Sequence, residues 1–235
     1  MYTKRFFQIL AVYFLYIIIR YVIYRFFPVT NFDSWIIRDT MVDIPRVLGI
    51  LAIVSIIGLK GLMSELSSVR SITVLQAIII ILFIVSGFEK CFHYSFLRLS
   101  NYDYFILFVN TVLVGLFEEL LFRKAFHDEV FKLKNMVVSC FITSALFTIF
   151  HIQAQNFSEF PAIFSVGILF AILREKGVPL IWLVLSHISY DLIVLFWADG
   201  GLTDNDSNQI LVIGFYLFLT FVILGEDKLV RRNSN

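Results

Sequence analysis

Three short stretches of this 235-residue sequence place ionisable side chains where an apolar run would otherwise continue. Leu116-Phe117-Glu118-Glu119-Leu120-Leu121-Phe122-Arg123 closes one run, Phe147-Thr148-Ile149-Phe150-His151 closes a second, and Ser186-His187-Ile188-Ser189-Tyr190-Asp191 interrupts a third. An ionisable group at the centre of hydrocarbon costs about 3 kcal/mol even on lenient insertion scales, so such groups tend to have a job. On a helix, residues four apart share a face. Glu119 can therefore pair with Arg123, while Glu118 projects about 100° away from Glu119 and is free to face a cavity. His187 and Asp191 share a face by the same spacing, and Phe147 lies beside His151, where it can wall a site against lipid. Two carboxylates, two histidines and an aspartate on three helices read as a converging polar site. A carboxylate beside an imidazole can take a proton from water as a general base. Glu118, His151 and His187 could also ligate Zn2+ or another divalent metal with a position open for water, and the same groups could relay protons in a transporter.

The elements that position these groups are membrane spans. Hydrophobic residues make up 59% of the chain and charged residues 16%, with 27 Phe and a mean hydropathy of +0.86. A soluble domain needs about a quarter of its residues charged, so the composition is that of an integral membrane protein. A net charge of +1 offers no basic footprint for a nucleic acid, which is excluded as a partner. Cys91 and Cys140 are too few for a disulfide framework or a CxxC metal site. With about 20 apolar residues needed per crossing, eight runs qualify as spans: Phe6–Phe27, Ile44–Met63, Ile72–Phe88, Tyr104–Phe122, Met136–Ile152, the short Ala162–Leu173, Pro179–Trp197 and Ile210–Leu224. The first follows Lys4 and Arg5, as a signal peptide would. It has no Ala-x-Ala-like cleavage site and runs on past Arg20, so it reads as a helix. The fold expected is an all-α polytopic bundle of about eight transmembrane helices, one domain over residues 1–235 with its motif-bearing core at about 104–197.

Basic residues set the orientation. Lys4, Arg5, Lys60, Arg70, Arg123, Lys124, Lys132, Lys134, Arg174, Lys176, Lys228, Arg231 and Arg232 fall on the side of the two termini. Arg25, Arg38, Arg46, Lys90 and Arg98 fall on the other. Cytoplasmic segments carry the Lys/Arg excess, which puts both termini in the cytoplasm. The acidic segment Asp199–Asn208 reads as a solvated outer loop, and His93 and His127, in connections, as surface residues.

In order and spacing the three stretches resemble the motifs of the CPBP family, the CAAX-protease and bacteriocin-processing intramembrane proteases, also called the ABI family. Glu-Glu-x-x-x-Arg stands as Glu118 to Arg123, Phe-x-x-x-His as Phe147 to His151, and His-x-x-x-Asn/Asp as His187 to Asp191. The resemblance covers about Gly115 to Trp197. It implies an intramembrane endopeptidase acting on a membrane-associated peptide or protein, with the lipid bilayer as its surroundings. By the same resemblance Glu118 and His151 activate a water, Glu118 serving as the base. His187 and Asp191 orient or stabilise the oxyanion, and Glu119 and Arg123 hold the first motif in place. Asp191 stands where many relatives have Asn; an ionised carboxylate cannot donate to an oxyanion, so Asp191 is an orienter of His187, a metal ligand or a protonated acid. The short chain without accessory domains points to a bacterial plasma-membrane member that processes peptides. A non-catalytic immunity or scaffold protein retaining the fold is the alternative reading, and a proton-coupled transporter the third.

Depth poses one difficulty. Glu118 lies about 7.5 Å along the helix from Arg123, whereas His151 lies about 22 Å from Met136, at 1.5 Å per residue. The mismatch shrinks if the fourth helix continues past Arg123 through Phe131, if the fifth begins well outside the core, or if the helices tilt; a long fourth helix extending past Arg123 into Lys124–Lys134 is expected.

Overall fold

The computed structural model describes residues 4–29, 32–66, 71–88, 100–132, 135–152, 157–197 and 209–232. Cys91, His93 and the segment Asp199–Asn208 lie outside the described residues. Those described fold into helices with no strand among them: α1 (Lys4–Phe26), α2 (Phe32–Ile57), α3 (Leu59–Leu66), α4 (Val74–Ser86), α5 (Asn101–Glu119), a π-helical segment (Leu120–Phe126), α6 (His127–Phe131), α7 (Met136–Phe150), α8 (Phe160–Glu175), α9 (Leu180–Trp197) and α10 (Gln209–Arg232). Four stretches are long and apolar enough to cross a membrane: Lys4–Phe26, Ser34–Ile57, Asn101–Phe131 and Phe157–Glu175. Four shorter apolar helices, Val74–Ser86, Met136–Phe150, Leu180–Leu195 and Ile210–Gly225, complete a series that follows the eight expected spans in order.

The first helix hides an aromatic and polar stripe and shows hydrocarbon outward. In α1, Ile9, Tyr13, Tyr16 and Arg20 are buried, while Phe7, Phe14, Leu15, Ile18 and Tyr21 are exposed. The buried set recurs every three or four residues, the spacing of one helical face. Large apolar side chains on the outside and ionisable ones within are the arrangement lipid demands, and the chain is a multi-pass membrane protein. The buried side chains form two clusters. One unites α1, α2, α5, the π segment and α7 around Tyr13, Phe117, Phe122 and Phe150. The other unites α4, α8, α9 and α10 around Phe83, Phe170, Leu183 and Tyr216. The polar motifs lie where these clusters meet.

The second span differs from its expected bounds. Its helix begins at Phe32 and runs through Pro45, which costs a hydrogen bond that neighbouring helices in a membrane bundle can compensate. It stops at Ile57 because Gly58 takes φ +86°, a conformation open to glycine at little cost. Leu59–Met63 therefore belongs to the separate helix α3. Arg38 and Arg46 consequently lie within α2, Arg46 buried, and do not belong to an outer loop. The sixth span is also longer than its 12-residue core: α8 has 16 residues and is led by a short turn at Phe157–Glu159.

Helix α3 is tied down by ions. The Glu65 carboxylate accepts from Lys124 Nζ and from Arg174 Nη2, each at 2.8 Å, joining α3 to the π segment and to α8. Partial burial alone would raise the Glu65 carboxyl, but the hydrogen bonds and charges of Lys124 and Arg174 outweigh it and hold it below the ordinary range. A folded value below the unfolded one of about 4.3 means that the stabilisation is whole above that pH. It is lost as pH falls through the folded value. Glu65→Gln should therefore raise amide exchange across α3 several-fold at pH 7, as read by hydrogen–deuterium mass spectrometry. The wild type should reach the same level only on acidification below about pH 4.3.

Candidate active site

The long fourth helix resolves the depth difficulty. Asn101–Phe131 is one continuous span of 31 residues, so Glu118 stands about 20 Å above Phe131 at 1.5 Å per residue. That is close to the height of His151 above Met136. Ser100 and Asp103 start the helix with a capping box, satisfying two end N–H groups reciprocally. Just past Glu119 the backbone widens into π-helical turns, a local irregularity that recurs at functional sites. Here it buries Leu120, Leu121, Phe122, Arg123, Ala125 and Phe126 together. Lys124 reaches outward to Glu65 and Asp128, while Arg123 reaches inward. Helix α9 comes close because Gly115 faces it: a Cβ there would lie 2.7 Å from Ile188. The missing side chain lets the Glu118-Glu119 turn meet the His187 turn, as small residues do at membrane helix contacts.

The motif residues come together. Glu118 Oε2 lies 3.6 Å from His151 Nε2 and 3.9 Å from His187 Nε2. His187 Nε2 lies 3.4 Å from Asp191 Oδ2. Glu118 is 5% exposed, and its Oε2 has no hydrogen-bond partner among the described residues. His151 Nδ1 sits 2.8 Å from the Phe147 carbonyl. A carbonyl only accepts, so Nδ1 carries the hydrogen and the neutral ring turns its Nε2 lone pair toward Glu118. The Phe147 ring lies 4.6 Å from the His151 ring, closing the apolar side.

Glu119 does two things. Its Oε2 pairs with Arg123 Nε at 3.4 Å, as the four-residue spacing suggests. Its Oε1 accepts from His187 Nδ1 at 2.9 Å, a contact across 68 positions that no local spacing reveals. Glu119, and not only Asp191, therefore orients His187, and it leaves Nε2 pointing at Glu118. Arg123 is wholly buried, with its guanidinium 4.9 Å from the centre of the Phe147 ring and 5.7 Å from that of Phe170. These ring faces supply cation–π attraction. Phe170 also meets the His187 ring edge-on at 6.1 Å.

Several polar residues around the site escape a motif-based reading. Arg46 Nη1 donates to Asp43 at 2.6 Å and to Asn110 Oδ1 at 2.9 Å, and it lies within electrostatic reach of Asp191. Arg20 is buried on α1 and donates to the Phe150 carbonyl. The signal that could have found them is the cost of an arginine inside a span. His127 is not a surface residue: it is 3% exposed and pairs through Nε2 with Glu175. The helix continues through it, so it never reaches a connection.

The donor set Glu118, His151 and His187 has the chemistry of a zinc site. As arranged, however, no three His, Cys, Asp or Glu groups among the described residues are placed to hold a metal ion. What the arrangement can do unaided is hold a proton-accepting carboxylate and a proton-accepting imidazole nitrogen against one point, with a second imidazole opposite.

Residues 100–193 match the family model described as type II CAAX prenyl endopeptidase Rce1-like. No curated protein matches the chain. The match spans the helices that bring Glu118, His151 and His187 to one point, and it supports the likeness of this part of the chain to the CPBP family of CAAX-type membrane proteases.

Proposed function

We propose that this protein is an intramembrane endopeptidase that hydrolyses a peptide bond of a membrane-associated peptide or protein with a water activated by Glu118 and His151. The observation that carries the reading is the convergence of Glu118 Oε2 with two imidazole Nε2 atoms from α7 and α9, at 3.6 and 3.9 Å. Two acceptors facing each other at 3.6 Å are reconciled by a water donating one hydrogen to each; contacts beyond 3.5 Å commonly have this form. Glu118 takes the proton as the water oxygen bonds to the scissile carbonyl carbon. His187, oriented by Glu119 and flanked by Asp191, presents Nε2 to the oxyanion, where in its doubly protonated state it donates. Glu118 then returns its proton to the departing amine as the C–N bond breaks, leaving a carboxylate and an amine. Such preorganised donors supply a large share of the acceleration in acyl transfer.

The family description supports a prenylated CAAX-type C-terminus as the first substrate to try, and unprenylated peptides of the bacteriocin or signalling kind as the second. The site belongs to a single transmembrane domain whose termini face the cytoplasm, in a bacterial plasma membrane. The test is cleavage of a farnesylated CAAX peptide and its unprenylated counterpart by purified protein in liposomes, with and without a metal chelator. Turnover that survives the chelator and disappears on replacing Glu118 supports the reading. Absence of any peptidase activity, together with pH-gradient-driven uptake, would overturn it.

A further inference from the structure

We propose that Arg20 on α1, eighty residues before the family-matched region begins, is a positioning residue for the site: it holds the end of α7 so that His151 stays opposite Glu118. The inference rests on the reading of Glu118 and His151 as the water-activating pair.

The argument begins with the end of α7. The last carbonyls of any helix lack intrahelical partners, and inside a membrane no bulk water is present to satisfy them. Here the chain closes its last turn with His151 N–H on the Thr148 carbonyl at 3.0 Å and Ile152 N–H on the Ile149 carbonyl at 3.1 Å. The carbonyl between these and the histidine is that of Phe150, and it accepts from Arg20 Nη1 at 3.2 Å. A cation at a helix C-terminus also meets the negative end of the helix dipole.

Arg20 is itself locked. It is 5% exposed, Nη2 donates to Tyr24 Oη at 3.1 Å, and its guanidinium lies over the Tyr24 and Phe150 rings at 5.0 and 5.5 Å. One turn earlier, Tyr16 stacks on Phe150 at 5.0 Å and lies 4.7 Å from Phe117. These are the residues immediately before His151 and before Glu118. Tyr13 Oη donates to the Leu146 carbonyl at 3.0 Å, four residues before Phe150 on the same face of α7. One stripe of α1 thus braces the residues next to both groups.

The test compares Arg20→Gln, Arg20→Lys and Glu118→Gln in liposomes with the farnesylated CAAX peptide. A misplacement of about 1 Å in a catalytic group costs up to about 100-fold, so Arg20→Gln should lower kcat between about 10- and 100-fold with KM within twofold. Arg20→Lys, which keeps a cationic donor, should restore most of the loss. A second measurement needs no substrate: carbethoxylation of His151, followed by mass spectrometry, should speed up several-fold in Arg20→Gln while that of His187 stays unchanged. Wild-type kcat and an unchanged His151 labelling rate would overturn the proposal. So would a loss spread over kcat and KM alike, with a lowered unfolding temperature and no rescue by Lys, since that is a structural defect. Turnover persisting in Glu118→Gln would instead sink the reading of the site, whatever Arg20 does.

Discussion

Replacing Glu118 with Gln should abolish turnover, by about 1,000-fold or more, while leaving the protein folded and able to bind peptide. A positioned general base contributes about 100- to 10,000-fold, and in the proposed mechanism one carboxylate serves twice, taking the proton from water and returning it to the amine. Gln keeps the shape of the side chain and removes the charge. Its amide presents an N–H where a proton acceptor is needed. Stability should change little, because Glu118 Oε2 makes no hydrogen bond among the described residues and the imidazoles of His151 and His187 lie 3.6 and 3.9 Å from it. The measurement is kcat for the farnesylated peptide beside peptide binding and thermal unfolding in the same detergent. Lost cleavage with retained binding supports the enzyme. Cleavage within tenfold of wild type would remove Glu118 from the chemistry, and peptide binding without cleavage by the wild type itself would favour the scaffold reading.

What could be read from the sequence was whatever depends on local spacing. Glu119 with Arg123, Phe147 with His151 and His187 with Asp191 are pairs four residues apart, and each appears in the structure as a contact. The long fourth helix was legible too, because two depth estimates that should agree did not. Contacts between distant spans left no trace in a single sequence. The hydrogen bond from His187 to Glu119 and that from Arg20 to the Phe150 carbonyl depend on how α1, α5, α7 and α9 are arranged about one another. The π-helical segment was equally hidden, since Leu120–Phe126 contains no Pro or Gly to signal an irregular turn. Nor did hydropathy reveal that α2 starts at Phe32: Arg38, Asp39, Asp43 and Arg46 make its first half look like a loop. They are tolerated there because Arg46 is paired with Asp43 and hydrogen-bonded to Asn110.

The second large effect concerns the pair beneath the site. Glu119 and Arg123 are 1% and 0% exposed, and Arg123 has no hydrogen-bond acceptor among the described residues besides this ion pair and its ring faces. Removing one partner of a buried pair leaves the other charge uncompensated, at a cost of about 3–5 kcal/mol. Glu119→Ala should therefore destabilise the protein strongly and also release His187 Nδ1. Replacing both by apolar groups of similar volume is often nearly neutral. Glu119→Leu with Arg123→Met should then regain most of the unfolding free energy that Glu119→Ala loses. Activity should not return with it, because His187 still lacks the acceptor that fixes its ring and the first motif keeps its shape without its function. Denaturant unfolding and kcat measured on the two variants separate these roles. If the double variant recovers turnover along with stability, Glu119 acts only through the fold, and the orientation of His187 must come from Asp191 alone.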